Sequence, residues 1–175
     1  MMEHGKRHVV LTGEIGVGKS TALRAALALS GGAARGLQTY SPGESGVMPR
    51  NLYMRPYGSD EQGTLLAALP VEDRARVTAL FDTLGVSLLH AARESGADVI
   101  VIDECGRLER DAHAYHEALR TCLDGDTPML IAMRKHKSGW ADFIREHPAV
   151  ALIEVTPENR DDVPQAVCAA LRKRA

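Results

Sequence analysis

Aromatic side chains are scarce in this chain: one Trp, four Tyr and two Phe make up 4% of its 175 residues. The core must therefore be built from Ala, Leu, Val and Ile. Cysteine is rarer still. Cys105, Cys122 and Cys168 are odd in number and include no C-x-x-C pair, which argues against a disulfide framework and suits a reducing cytoplasm. No apolar run approaches the roughly 20 residues that a spanning helix needs, and the short polar start, Met1 to His8, carries no signal-peptide pattern. Charge of one sign is lacking too, the net value being -2. Neither a membrane surface nor nucleic acid is expected as a partner from that balance. Internal repeats and low-complexity segments are absent. What remains is a chain 45% apolar and 25% charged, which fits one domain over residues 1–175 and is long enough to bury a core unaided.

Glycine, by contrast, is plentiful, and some of it is spaced. Val9 to Leu11 form a short apolar run, and Gly13, Gly18, Lys19 and Ser20 then fit the pattern G-x-x-x-x-G-K-[ST]. A loop that wraps a phosphate must turn its backbone N–H groups inward, and glycine permits the dihedrals and the close approach. The helix that follows points its positive end at the anion. The stretch Gly13, Glu14, Ile15, Gly16, Val17, Gly18, Lys19, Ser20 and Thr21 is therefore the expected cradle. Lys19 would reach the β- and γ-phosphates, and the Ser20 hydroxyl would bind Mg2+.

The remainder alternates strand and helix patterns. His8 to Thr12 reads as a first strand, Ser20 to Ser30 as a helix stopped by Gly31-Gly32, and Gly36 to Tyr40 as a second strand. Ser41 to Gly63 is the one candidate insertion: a Gly-, Pro- and Ser-rich loop to Arg50, then Asn51 to Tyr57 alternating like an exposed strand or hairpin arm, then a second loop. Thr64 to Leu69 is apolar but too short to assign. Val71 to Ser95 carries Ala75, Ala79, Leu80, Leu84, Leu88, Ala91 and Ala92 at helical spacing, with Gly85 as a point of division. Asp98 to Asp103 is a β-branched run suited to a strand buried on both faces. Helices are expected over Arg110 to Leu123, Trp140 to Arg145 and Asp161 to Arg172, and strands over Pro128 to Met133 and Ala149 to Val155. This alternation calls for an α/β fold with a mainly parallel sheet, helices on both faces and a possible small β-hairpin insertion. Ligands of such sheets sit beyond the carboxyl ends of the strands.

The β-branched run ends in Asp103, and Glu104 follows directly. Beside a phosphate loop, Asp103 can hold Mg2+, commonly through a water, and Glu104 can polarise the attacking water. Taken with the loop, the stretch Val101-Ile102-Asp103-Glu104-Cys105-Gly106-Arg107-Leu108-Glu109 resembles the small P-loop nucleoside-triphosphatases of the cancer-related type, in which Asp-Glu-Ile-Gly-x-Met/Leu-Glu follows the buried strand. Asp103, Glu104, Gly106, Leu108 and Glu109 match. Val155-Thr156-Pro157-Glu158-Asn159-Arg160-Asp161 is similar to the family's Val-Thr-x-x-Asn-Arg-Asp ending, and Gly36 to Tyr40 to its Gly-Phe-x-Thr segment, with Leu37 for Phe. The resemblance implies a three-layer P-loop fold and slow, Mg2+-dependent hydrolysis of ATP, GTP and other nucleoside triphosphates. Two departures stand out. Cys105 replaces an apolar β-branched residue, and Ser41 to Gly63 fits the pattern only loosely.

Other residues admit competing readings. Arg134-Lys135-His136-Lys137 follows a strand toward the phosphate edge, so Arg134 or Lys137 would neutralise charge on the γ-phosphate, against the reading of a solvated basic loop. Arg107 and Arg110 flank the acids and read as surface pairs. Cys105 reads as packing. His113 and His116 read as an exposed helix face rather than a metal site. Tyr40, Tyr53 and Tyr57 read as hairpin packing rather than a base stack, and Arg172-Lys173-Arg174 as a charged helix end. No Asn/Thr-Lys-x-Asp element reads guanine. The catalytic set is thus Lys19, Glu104 and Arg134, the metal set Ser20 and Asp103, and the expected partner a nucleoside triphosphate. A kinase for a nucleotide or small molecule, or a nucleotide switch, shares the same loop.

Overall fold

Seven strands form one sheet at the centre of the computed structural model, which describes residues 5–43, 47–135 and 139–172. They are β1 (His8–Gly13), β2 (Ala34–Tyr40), β3 (Arg50–Pro56), β4 (Thr64–Leu69), β5 (Val99–Cys105), β6 (Met129–Arg134) and β7 (Val150–Glu154). Their order across the sheet is β4-β3-β2-β5-β6-β1-β7. The helices are α1 (Lys19–Ser30), α2 (Arg74–Leu80), α3 (Val86–Glu94), α4 (His113–Asp124), α5 (Asp142–Arg145) and α6 (Val163–Arg172). Among the described residues no helix is long and apolar enough to cross a membrane.

Three layers follow from the two-residue repeat of a strand, which sends alternate side chains to opposite faces. Along β5, Val99 and Val101 pack with Leu23 and Leu27 of α1 and Val167 of α6. Ile100 and Ile102 pack on the other face with Phe81, with Leu89 of α3 and with Leu119 of α4. Burying a side chain of this size is worth about 1.5–3 kcal/mol, so a strand apolar on both faces is held from both sides. β5 also lies against β2 with an unusual closeness. A Cβ at Gly36 would stand 1.9 Å from the Val101 carbonyl oxygen, and φ there is +148°, which explains the glycine at the head of the Gly-Leu-Gln-Thr segment.

Several expectations change. Strand–helix alternation does not run throughout. β2, β5, β6, β1 and β7 pair in parallel, but β3 and β4 are antiparallel additions at one edge, because their connections carry no crossover helix. The candidate insertion thus supplies β3, and the unassigned Thr64 to Leu69 becomes β4. Gly85 does not divide the long helical stretch. α2 and α3 are joined by a π-helical segment, Phe81–Gly85, and Gly85 keeps helical dihedrals. A Cβ there would stand 3.0 Å from the Tyr115 ring, so the glycine makes room for an aromatic side chain. α2 starts at Arg74, not Val71, where Asp73 accepts from the Arg76 N–H at 2.9 Å. α4 starts at His113 rather than Arg110, and α6 at Val163 rather than Asp161. Ahead of α6, Thr156 and Asn159 exchange hydrogen bonds, Thr156 N–H to Asn159 Oδ1 at 2.8 Å and Asn159 N–H to Thr156 Oγ1 at 3.3 Å.

Candidate active site

The glycine-rich loop leaves β1 at Gly13 and enters α1 at Lys19. Gly13, Gly16 and Gly18 all have positive φ, and a Cβ at Gly13 would stand 2.6 Å from the Val155 carbonyl oxygen. The loop therefore curls tightly against the end of β7. Gly18 caps α1 without a side-chain hydrogen bond, which leaves the first-turn N–H groups facing the loop's concavity, the arrangement that binds anions. Lys19 is only 6% exposed. Its Nζ donates to the carbonyls of Gly13 at 3.0 Å and Glu14 at 2.7 Å. Burial lowers its pKa, and among the charged groups acting on it Glu104 opposes that most strongly while Arg134 reinforces it.

Ser20, one residue on, donates from Oγ to Asp103 Oδ1 at 2.6 Å. Asp103 is 2% exposed, and burial raises its pKa against the pull of the Ser20 hydrogen bond. The β5–β6 register pairs Asp103 with Ala132 and then Cys105 with Met133, skipping Glu104. This irregularity lies inside β5, which runs to Cys105 rather than ending at Asp103. The Asp103–Glu104 peptide is cis. Arg134 Nε donates to Glu104 Oε1 at 2.9 Å, and Thr39 Oγ1 donates to the Glu104 carbonyl at 3.2 Å. Lys19, Ser20, Glu104 and Arg134 line one cleft of about 480 Å³, together with Ile15, Gly16, Gly18 and Thr21. Gly13, Val17 and Asp103 are buried behind that surface, whereas Glu14 is exposed and does not line it.

Among the described residues no three His, Cys, Asp or Glu side chains converge as a metal cluster. The adjacent oxygens of Ser20 and Asp103 are nevertheless the hard donor pair that suits Mg2+, which binds through one or two protein oxygens and completes its shell with water and phosphate.

A family model described as NTPase matches residues 8–168. The chain belongs to this family of P-loop nucleoside-triphosphatases. It is 28% identical over 75 residues to the nucleoside-triphosphatase THEP1 of Natranaerobius thermophilus, covering 43% of this chain and 42% of that one. In this and two further alignments the chain spans about half the length of the curated relative. It is 25% identical to the protein of the same name from Aquifex aeolicus over 177 residues, covering 94% of this chain and 99% of that one. The crystal structure of THEP1 from Aquifex aeolicus superposes with a TM-score of 0.73 at 21% identity, covering 95% and 99% of the two chains, a likeness of fold.

Within this nucleoside-triphosphatase framework, the residues around Glu104 include some whose placement the sequence did not reveal. Glu109 is 2% exposed, and its two oxygens accept from the Gly106 N–H at 3.2 and 3.1 Å. Burial raises its pKa to about 7, against its hydrogen bonds with the Glu109 and Gly106 backbone. The Gly106 carbonyl accepts from Trp140 Nε1 at 3.1 Å. His116 corrects the expectation of an exposed helix face. It is 8% exposed, stacks on Trp140 at 4.6 Å and 9°, and its Nε2 hydrogen-bonds the Glu109 carbonyl at 2.7 Å. The turn 106–109 is thus gripped from α4 and from the start of the α5 region.

Other residues fall as read. Cys105 is fully buried. Arg110 pairs with Asp111 at 3.2 Å on the surface. Tyr40 packs beside Tyr53 at 5.9 Å, with the Arg55 guanidinium 4.1 Å over its ring. Arg107 departs from the surface-pair reading: it lines the cleft and has no ion pair among the described residues. Arg134 is half-buried against Glu104 rather than a solvated loop residue, and Lys135 pairs with Glu154. His136, Lys137, Lys173 and Arg174 lie outside the described residues.

Proposed function

We propose that this chain hydrolyses nucleoside triphosphates, ATP and GTP included, to the diphosphate and phosphate in a Mg2+-dependent reaction. The observation that carries the reading is the meeting, in one cleft, of the anion-binding loop with a bonded Ser20–Asp103 pair and a Glu104 carboxylate held by Arg134. The loop N–H groups and Lys19 would bind the β- and γ-phosphates. Ser20 and Asp103 would hold Mg2+, which when bound neutralises charge on the phosphate oxygens. Glu104 would orient the attacking water and accept its proton. Arg134 would have two tasks: fixing the Glu104 carboxylate, and facing the charge that develops on the transferred group. The sequence carries no Asn/Thr-Lys-x-Asp element of the kind that selects guanine, which supports a broad choice of triphosphate.

Glu104→Gln tests this. The amide keeps the size and the contact to Arg134 changes little in shape, but it cannot accept the proton. Phosphate release should fall by about 10²–10⁴-fold, while binding of a fluorescent triphosphate persists. Unchanged release would remove Glu104 as the base.

A further inference from the structure

The cleft continues past Glu104, away from the glycine-rich loop. The sheet order sets the direction. Lys19 rises from the loop after β1, Glu104 stands two strands away on β5, and β2, β3 and β4 extend the same edge further. Phosphoryl transfer keeps the attacking and leaving oxygens in line, so what lies beyond Glu104 is on the attacking side. That side is lined by Tyr40, Arg50, Leu52, Leu69, Arg107 and Leu108. A water molecule needs none of them.

Their chemistry is specific. Arg50 Nε is buried with no acceptor, a state that costs free energy unless an anion supplies one. Neither Arg50 nor Arg107 has an ion pair among the described residues. The acids of the cleft are already engaged, Glu104 by Arg134 and Glu109 by the Gly106 N–H. One guanidinium with a buried, unpartnered nitrogen (Arg50) and one exposed guanidinium without an ion pair among the described residues (Arg107) therefore sit beside three leucines and a tyrosine. The complement is a phosphate joined to a flat, weakly polar body.

We propose that this side of the cleft is an acceptor site for a nucleoside monophosphate, and that the γ-phosphoryl group passes to it in competition with water. The monophosphate's phosphate pairs with Arg50 and Arg107, and its base lies against Leu52, Leu69 and Leu108. The proposal rests on the reading that the Lys19 end of the cleft holds the γ-phosphate. In the transfer, the bond from the γ-phosphorus to the bridging oxygen breaks, and its electron pair leaves with the diphosphate. A bond forms from an oxygen of the acceptor phosphate to the same phosphorus. One triphosphate and one monophosphate give two diphosphates. A dianionic acceptor has no proton to lose, so the transfer, unlike hydrolysis, does not need Glu104 as a base.

The test incubates the whole chain with GTP, Mg2+ and radiolabelled AMP at pH 8 and measures labelled ADP and free phosphate. Labelled ADP should appear, and phosphate release should fall as AMP rises. Ribose 5-phosphate, which lacks the base, should accept at least about tenfold less well. Arg50→Ala, and Arg107→Ala at an exposed position where folding is not at stake, should each raise the KM for AMP by about 10–100-fold. Glu104→Gln should shift the products from phosphate toward ADP. Phosphate release with no labelled ADP would overturn the acceptor site and leave hydrolysis standing. So would AMP acting only as a competitor of GTP, which would make this side the base site. Loss of both products would instead overturn the hydrolytic reading beneath it.

Discussion

Glu109 makes the protein's stability depend on pH in a direction opposite to that of most paired carboxylates. Its ordinary pKa is 4.5, and burial raises it to about 7 in the folded chain. The unfolded chain therefore releases this proton more readily than the folded one. Stability from this group is fully present below pH 4.5 and is lost as pH rises through 7. The difference from 4.5 to about 7, at roughly 1.4 kcal/mol per pH unit, corresponds to about 3 kcal/mol. Glu109 is 2% exposed, so solvent does little to screen the effect. Glu109→Gln isolates it. Glutamine keeps an oxygen to accept from Gly106 but carries no titrating proton, so it resembles the protonated form. Urea unfolding of both proteins at pH 5, 6, 7 and 8 should give nearly equal stabilities at pH 5 and a growing advantage for the variant, reaching about 3 kcal/mol or somewhat less at pH 8. Other titrating groups cancel in the comparison at each pH. A gap that does not change between pH 5 and pH 8 would refute the reasoning, and would mean that Glu109 is ionised in the folded chain at pH 5.

Three further outcomes follow from the geometry. Gly36→Ala forces a Cβ to within 1.9 Å of the Val101 carbonyl, so it should part β2 from β5 and cost several kcal/mol, more than the roughly 1–3 kcal/mol of dihedral strain alone, visible as a large fall in Tm. Trp140→Phe removes the hydrogen bond to the Gly106 carbonyl and trims the stack on His116. It should cost about 1–2 kcal/mol, a fall in Tm of roughly 2–8 °C. Ser20→Ala removes the oxygen that Asp103 holds. The Mg2+ concentration giving half-maximal phosphate release should rise by roughly 10–100-fold, with triphosphate binding in the absence of Mg2+ little changed.

How much of this was legible in the sequence varies with the range of the cause. The layers were legible, because the unbroken β-branched run within Asp98 to Asp103 and the helical spacing of Leu23 and Leu27 are local and their burial follows directly. The loop was legible for the same reason: its glycines, Lys19 and Ser20 all lie within nine positions. Gly85 was misread because its cause is not local. A glycine in a helical pattern signals a break until one knows that Tyr115, thirty residues on, packs against it. His116 was misread likewise. An i, i+3 histidine pair looks solvent-facing on a helical wheel, and only the stacking of Trp140 from a later segment buries it. Thr64 to Leu69 could not be assigned because a run of six residues, five of them apolar, suits a strand or a helix equally. It was settled by its pairing with β3.

Arg134 shows most clearly what a sequence withholds. Its strand was readable, and so was its basic end, but whether that end faces phosphate or solvent depends on where the strand is inserted. β6 lies between β1 and β5, although it follows both in the chain. That insertion pairs Arg134 with Gly13 in register and sets its guanidinium 2.9 Å from Glu104. One residue thereby touches the strand that carries the loop and the strand that carries the acid. Had β6 been placed outside β5, Arg134 would have been a surface cation paired at a cost and gain near zero. Because it is inserted, the half-buried pair fixes the carboxylate's orientation, and Arg134 adds to the burial that lowers the pKa of Lys19 while Glu104 opposes it. The loop at Gly13 to Thr21 shapes one wall of the cleft, and this strand order decides which acid and which arginine face it.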